Sequence, residues 1–198
     1  MVVTGVSYVE NFDPVLMQAR DPEINFEPYE NDHNTTELVE LTNTNQSCQN
    51  WNDYPFALAV ATGAMVSGSP IICGGWSGLR GSGIRKQCYS MDIKKKSWEF
   101  LTNMTTKRAE SASVAINASL FVTGGHYGPS GPLSSTEYIH KNGSASAGPD
   151  LPSPRAGHCM VNLPSGNIMI IGGYASRRDD FVGLNNLQTN LLQNLSLL

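Results

Sequence analysis

Three pairs of adjacent glycines constrain this chain more than any other feature: Gly74-Gly75, Gly124-Gly125 and Gly172-Gly173, spaced 50 and 48 residues apart. Each pair closes a short apolar run: Ile71-Ile72-Cys73, Leu120-Phe121-Val122-Thr123 and Ile168-Met169-Ile170-Ile171. Such a run ending in two glycines reads as a buried strand that stops where backbones crowd or φ must turn positive. Recurrence at a fixed period of this size is the signature of an architecture built by repetition.

The flanks repeat with the glycines. Arg108-Ala109 precedes Gly124 by 16 residues, Arg155-Ala156 precedes Gly172 by 17, and Leu58-Ala59 precedes Gly74 by 16. Between them lies a second β-rich run in each copy: Ala64-Met65-Val66, Ser113-Val114-Ala115-Ile116 and Met160-Val161-Asn162-Leu163. Turn formers such as Ser67-Gly68-Ser69-Pro70 and Pro164-Ser165-Gly166-Asn167 separate the two runs. The pattern predicts an antiparallel hairpin three times over. Downstream, Gln87–Asp92 and Thr136–His140 predict a third strand, and Ser97–Leu101 and Ala145–Gly148 a fourth. Four strands in about 50 residues make one propeller blade.

Across roughly residues 35–173 the chain resembles kelch repeats. The resemblance rests on the Gly pairs after strand two, on Arg155-Ala156-Gly157-His158, on Ser135-Thr136-Glu137-Tyr138, and on Trp98 in strand four. It implies an all-β fold, a kelch-type β-propeller fragment of about three to four four-stranded antiparallel blades. A parallel β-helix is the structural alternative, but its coils repeat at much shorter periods.

The expected layout begins with a segment 1–34 that holds an acidic, Pro-containing loop and the start of a partial blade. A partial blade at 35–55 follows, then blades at 56–103 and 104–152, a partial blade at 153–173, and a Leu-rich tail at 174–198. Thr36–Glu40 resembles Thr136–His140, and Met1–Gly5 resembles Phe121–Gly124. Propellers close rings of roughly 4–8 blades, so this arc is not expected to close one alone. It reads as part of a longer kelch protein, a truncated product, or a unit that self-associates through its open blade ends. In the tail, Leu184, Leu187, Leu191, Leu195 and Leu198 recur at three and four. They predict an amphipathic helix or a terminus with no role.

Composition narrows the function classes. Lys and Arg number 13 against 17 Asp and Glu, which argues against nucleic acid or an anionic membrane as partner. No apolar run reaches the roughly 18 residues of a membrane span. The N-terminus lacks the pattern of a signal peptide. Cys48, Cys73, Cys88 and Cys159 form no CxxC and have no His at zinc-finger spacing, so neither a metal nor a cofactor is expected. They stand as two disulfides or four buried thiols. Cys73 and Cys88 fall at the loop end of one predicted hairpin, where a cross-strand bridge is geometrically allowed. Asn45, Asn117 and Asn142 head Asn-x-Ser/Thr triplets in predicted turns, and Asn103 heads one in a predicted inter-blade linker. They are candidate glycan acceptors, although Asn and Ser favour turns for backbone reasons alone. Cysteines and sequons together favour a secreted or extracellular setting over the cytoplasm.

The loops after the Gly pairs emerge on one face of a propeller. They carry Trp76, Arg80, Arg85, His126, Tyr127, Tyr174, Arg177 and Arg178. Aromatic and Arg side chains dominate interface energetics, and in kelch proteins this kind of loop face binds partners. No nucleophile with a base, and no carboxylate pair, is identifiable. The expectation is a non-enzymatic module that recognises a protein or glycan ligand through these loops. Some kelch propellers are copper oxidases resembling galactose oxidase, or sialic-acid mutarotases. The alternative is therefore a fragment of such an enzyme whose active residues lie mainly outside this chain, although fold alone transfers no activity.

Overall fold

The structure is a computed structural model that describes residues 2–4, 34–38, 49–77, 83–175 and 190–192. The strands are β1 (Val2–Thr4), β2 (Thr36–Leu38), β3 (Gln49–Trp51), β4 (Thr62–Val66), β5 (Ser69–Cys73), β6 (Gln87–Asp92) and β7 (Ser97–Asn103), then β8 (Ala112–Ile116), β9 (Ser119–Thr123), β10 (Thr136–His140), β11 (Ala145–Ala147), β12 (Ala156–Asn162), β13 (Ile168–Tyr174) and β14 (Asn190–Leu192). They build four antiparallel sheets in sequence order: β1-β2-β3 (sheet I), β4-β5-β6-β7 (sheet II), β8-β9-β10-β11 (sheet III) and β12-β13-β14 (sheet IV). Strands β4, β8 and β12 lie side by side, so each sheet stacks on the next as a propeller blade does. Among the described residues the sheets do not close into a ring.

Alternation along the strands sends one set of side chains to each neighbouring sheet. Val66, Ile71, Cys73, Cys88 and Met104 meet Leu120, Val122 and Ile139 between sheets II and III. Val114, Phe121 and Leu151 meet Ile168 and Ile170 between sheets III and IV. Strand β9 is covered on both faces and buried at every position, whereas β11, at the outer edge, is exposed throughout. Sheet I joins sheet II through Trp98 Nε1, which donates to Thr36 Oγ1 at 2.8 Å, and through the Tyr54 ring, which stands edge-on to Trp98 at 4.9 Å.

The Gly pairs serve two contacts at once. A Cβ on Gly74 or Gly124 would run into the carbonyl oxygen of Arg108 or Arg155 in the following sheet. The next amides, Gly75 and Gly125, donate to those same carbonyls at 2.8 and 2.9 Å. The second glycine also presses on its own sheet, against Ala59 and Ala109. Sheet II is thereby stitched to sheet III, and sheet III to sheet IV, where only glycine fits.

A second line of bonds runs through the starts of the inner strands. Glu110 N–H donates to Val60 C=O at 3.0 Å, and Gly157 N–H donates to Glu110 C=O at 2.9 Å. All three residues have positive φ: 48° at Val60, 56° at Glu110 and 64° at Gly157. Glycine is at ease there, but a β-branched residue is not. Val60→Gly is expected to stabilise the fold by about 0.5–1 kcal/mol, the relief of left-handed strain less the extra entropy of glycine. Urea denaturation midpoints will check it.

Arg108 and Glu137 form an ion pair buried between sheets II and III, 1% and 3% exposed. Arg108 Nη2 lies 2.9 Å from Glu137 Oε1. Arg108 also donates to the carbonyls of Gly124 and Ser135, both at 2.8 Å, while Glu137 accepts from the amides of Thr105 and Thr106 at 2.6 and 3.2 Å. One charged pair thus fixes strand three, the end of strand two and the inter-blade linker.

The helical reading of the tail is corrected at residues 190–192. These form β14, which pairs with β13 in the register Ile168↔Leu192, Met169↔Leu191 and Ile170↔Asn190. An unpaired edge of β13 offers backbone bonds to an extended segment, and a short isolated helix has little to set against them. Tyr174 belongs to β13, and residues 176–189 and 193–198 of the tail and nearly all of the acidic segment lie outside the described residues.

Candidate functional site: the loop face beyond the glycine pairs

The residue after each Gly pair is placed by backbone bonds rather than by its side chain. Trp76 exchanges N–H···O bonds of 2.8 and 2.9 Å with Ala59, and His126 does so with Ala109 at 2.7 and 3.1 Å. Tyr174 pairs with Ala156 in the same way within sheet IV. Trp76, His126 and Tyr174 therefore hold one position in three successive blades, beside the line of Val60, Glu110 and Gly157.

The side chains in this row differ in what they offer. Tyr174 is half-buried and its hydroxyl donates to Glu110 Oε2 at 2.5 Å, tying sheet IV to sheet III. Trp76 is half-buried, and its indole Nε1 is buried without a hydrogen-bond partner. Tyr127 stands 41% exposed. The Arg85 guanidinium lies 4.6 Å over the Phe56 ring, and its Nη2 donates to Ser77 Oγ at 3.2 Å. A cation seated on an aromatic face is held in place at little cost in hydration. Among the described residues the face thus combines rigid aromatic surface with the Glu110 carboxylate and the Arg85 guanidinium.

His126 was expected among the exposed loop contacts and is instead 4% exposed. It bridges both Ala109 and Pro132, and those flanking segments cover it. Arg80, Arg177, Arg178, Asn45 and Cys48 lie outside the described residues. Cys73 and Cys88 face each other across β5 and β6 and are joined, with an S–S distance of 2.03 Å. Among the described residues, Cys159 is a free, exposed thiol. Asn117 and Asn142 are exposed in tight turns. Asn103 is the last residue of β7 rather than part of a linker; the next residue, Met104, is buried in the core.

Glu110 escaped sequence reasoning because nothing around it forms a motif. Its partner lies 64 residues away, and only the alignment of Val60, Glu110 and Gly157 across the repeats hints at its position. An open depression of about 400 Å³ between Gly68, Asp92, Ile93 and Glu99 sits at the hairpin-turn end of sheet II, away from these loops.

His158 lies beneath the row. Its Nε2 is 2.8 Å from Thr123 Oγ1, and its Nδ1 is buried without a partner. Burial, aided by the charge of Arg155, pushes its pKa down from 6.5 to about 4. Between those values the unfolded chain takes up a proton that the folded chain refuses. The stability that rests on the neutral ring is therefore complete above pH 6.5 and drains as pH falls toward 4. The slope is up to about 1.4 kcal/mol per pH unit. Sheet III carries Ser111 at the matching position. Guanidinium unfolding at about pH 7 and about pH 4.5 should show a steeper acid loss in the wild type than in His158→Ser.

No protein-family model matches this chain, and no curated protein matches it significantly. Among solved structures it is similar to one titled "Structure of YjhT", with 16% sequence identity and a TM-score of 0.64. The match covers 72% of this chain and 53% of YjhT, so the chain spans about half of that protein's length. At this identity the likeness shows the fold alone. The chain has an all-β propeller fold made of antiparallel blades.

Proposed function

We propose that this chain is a kelch-repeat binding module that recognises a protein or glycan through the loops beyond its Gly pairs, without catalysing a reaction. The observation that carries this reading is that Trp76, Tyr127 and Tyr174, half-buried or exposed, follow the Gly pairs of three successive blades on segments fixed by backbone bonds. Rigid aromatic surface flanked by a few polar groups suits recognition, since little side-chain entropy is lost on binding. Exposed Tyr127, the Glu110–Tyr174 pair and the seated Arg85 supply that combination. The Cys73–Cys88 bond and the exposed sequons at Asn117 and Asn142 support an extracellular setting for it.

The test is a glycan array together with a pull-down from extracellular extract, comparing wild type with Tyr127→Ala. Tyr127 is exposed enough for its removal to leave the fold intact, which circular dichroism will verify. Affinity for any ligand found is expected to drop at least about tenfold, the effect of losing one contact of about 1.4 kcal/mol. Unchanged affinity in this variant and in Glu110→Gln would overturn the assignment of this face.

A further inference from the structure

The β10–β11 turn of sheet III holds the one Asn-Gly step in the sequence, Asn142-Gly143. It lies beside Ser119, at the end of the blade opposite the Gly pairs and their loops. Asn142 is exposed, and so is Ser144 two residues on. The turn is tight: His140 N–H donates to Ser144 C=O at 2.9 Å, and Gly143 N–H donates to His140 C=O at 3.0 Å. Gly143 takes φ 87°, which glycine adopts without strain. The Asn142 side chain is held as well. Its Oδ1 accepts from Ser144 N–H at 3.0 Å and from Ser144 Oγ–H at 2.7 Å. Accepting from the amide two residues on folds the side-chain amide back over the intervening Gly143 peptide.

This arrangement meets three requirements of an intramolecular reaction. The nucleophile is the Gly143 nitrogen, uncrowded because its residue has no Cβ. The electrophile is Asn142 Cγ, polarised by two donors on its oxygen, the geometry that stabilises a developing oxyanion. Both sit on one turn, so no encounter is needed. Gly143 N–H must first release His140 C=O, and a bond in an exposed turn is of the kind that opens most readily.

We propose that Asn142 is a site of spontaneous covalent modification, deamidation through a succinimide. The Gly143 nitrogen gives up its proton to hydroxide and bonds to Cγ. The Cγ–Nδ2 bond breaks, and the side-chain nitrogen leaves as ammonia. Water then opens the ring. Opening at Cγ leaves aspartate at position 142. Opening at the main-chain carbonyl leaves isoaspartate, with the chain running through the former side chain. No oxidant or cofactor takes part. Either product ends the Asn142-Gly143-Ser144 sequon, because the nitrogen that would carry a sugar is the leaving group. Isoaspartate also lengthens the backbone between two paired strands, which puts the Ile139↔Ala145 and Tyr138↔Ser146 register out of step. Strand β11, three exposed residues at the sheet edge, is the part that gives way. Strand β10 stays, held by β9 and by the bonds of Glu137 to the Thr105 and Thr106 amides.

The whole chain, incubated in mildly alkaline buffer at body temperature, is expected to show the exchange of NH2 for OH by mass in the peptide that holds Asn142. Fragmentation will identify the isoaspartate form. Exposed Asn103 and Asn117, followed by Met104 and Ala118, should stay intact over the same period. Ser144→Ala removes one of the two donors and should slow conversion at least about threefold, the effect of one modest hydrogen bond on a barrier. In strong urea variant and wild type should convert at one rate, since only the folded turn places that donor. Hydrogen exchange in the converted protein should be faster at Ala145–Ala147, with β9 unchanged. An Asn142 that stays intact, or reacts no faster than Asn103 or Asn117, overturns the proposal. So does a Ser144→Ala rate equal to wild type in the folded protein, or a difference that persists in urea.

Discussion

Arg108→Ala is expected to cost about 3–5 kcal/mol of folding stability, because it leaves Glu137 charged and unpaired in a buried site. For a domain of this size the thermal midpoint should fall by on the order of 10 °C. The expectation rests on saturation of the pair: the guanidinium makes bonds to Glu137, to the Gly124 and Ser135 carbonyls and to Ser135 Oγ. The chain also contains its own control. Register places Leu58 and Tyr89 in sheet II where sheet III has Arg108 and Glu137. Arg108→Leu with Glu137→Tyr should therefore recover part of the loss, since replacing a buried ion pair by apolar partners is close to neutral. Recovery will be incomplete, because the Thr105 and Thr106 amides lose their acceptor. A loss under about 1 kcal/mol for Arg108→Ala would place the pair among solvent-screened surface bridges instead.

The same positions show how the repeat tolerates substitution. In sheet IV the arginine is kept as Arg155, but register sets Asn190 where Glu137 stands. Arg155 is 8% exposed, reaches Gly172 C=O and Ser153 Oγ at 3.2 Å each, and leaves Nε without a partner. The linker changes with it: Thr105, whose amide needs Glu137, is matched by Pro152, which has no amide hydrogen. The carboxylate and the amide donor it serves are replaced together. Three blades thus place different residues at one register: Arg108 and Glu137, Leu58 and Tyr89, and Arg155 and Asn190.

That variation marks what could be read from the sequence. Gly74-Gly75 and Gly124-Gly125 were legible because crowding at a sheet junction admits no other residue, and Gly172-Gly173 because it repeats their positive φ, although a Cβ on Gly172 would meet nothing within 4 Å. The β4–β5, β8–β9 and β12–β13 hairpins followed from local turn chemistry, as at Ser67 and Gly68, both with positive φ. The Arg108–Glu137 pair was not legible, because charged residues 29 apart show no sign of meeting until strand register brings them together. The burial of His126 was missed because flanking backbone covers it, and the β14 pairing because leucine spacing says nothing of an open edge. In the candidate site the aromatic row could be read from its place after the glycines. Its described carboxylate, Glu110, could not.

Removing the Cys73–Cys88 bond should cost about 3 kcal/mol, the chain-entropy value for closing a loop of about 15 residues. The fall in thermal midpoint would be roughly 6–12 °C. Both sulfurs belong to the cluster between sheets II and III, with Val66, Leu120 and Val122, so the bond braces a blade junction as well as a hairpin. Cys73→Ala with Cys88→Ala, measured against wild type with and without reductant, separates cross-link from packing. Reductant should lower the wild-type midpoint toward that of the variant and leave the variant unmoved. Because the bond ties the base of the segment bearing Trp76 and Arg85, the backbone bonds of these two residues should open before global unfolding. Hydrogen exchange at the Trp76 and Arg85 amides, bonded to Ala59 and Gly75, will report it: faster exchange on reduction, with the Gly125 and His126 amides of the next blade unchanged.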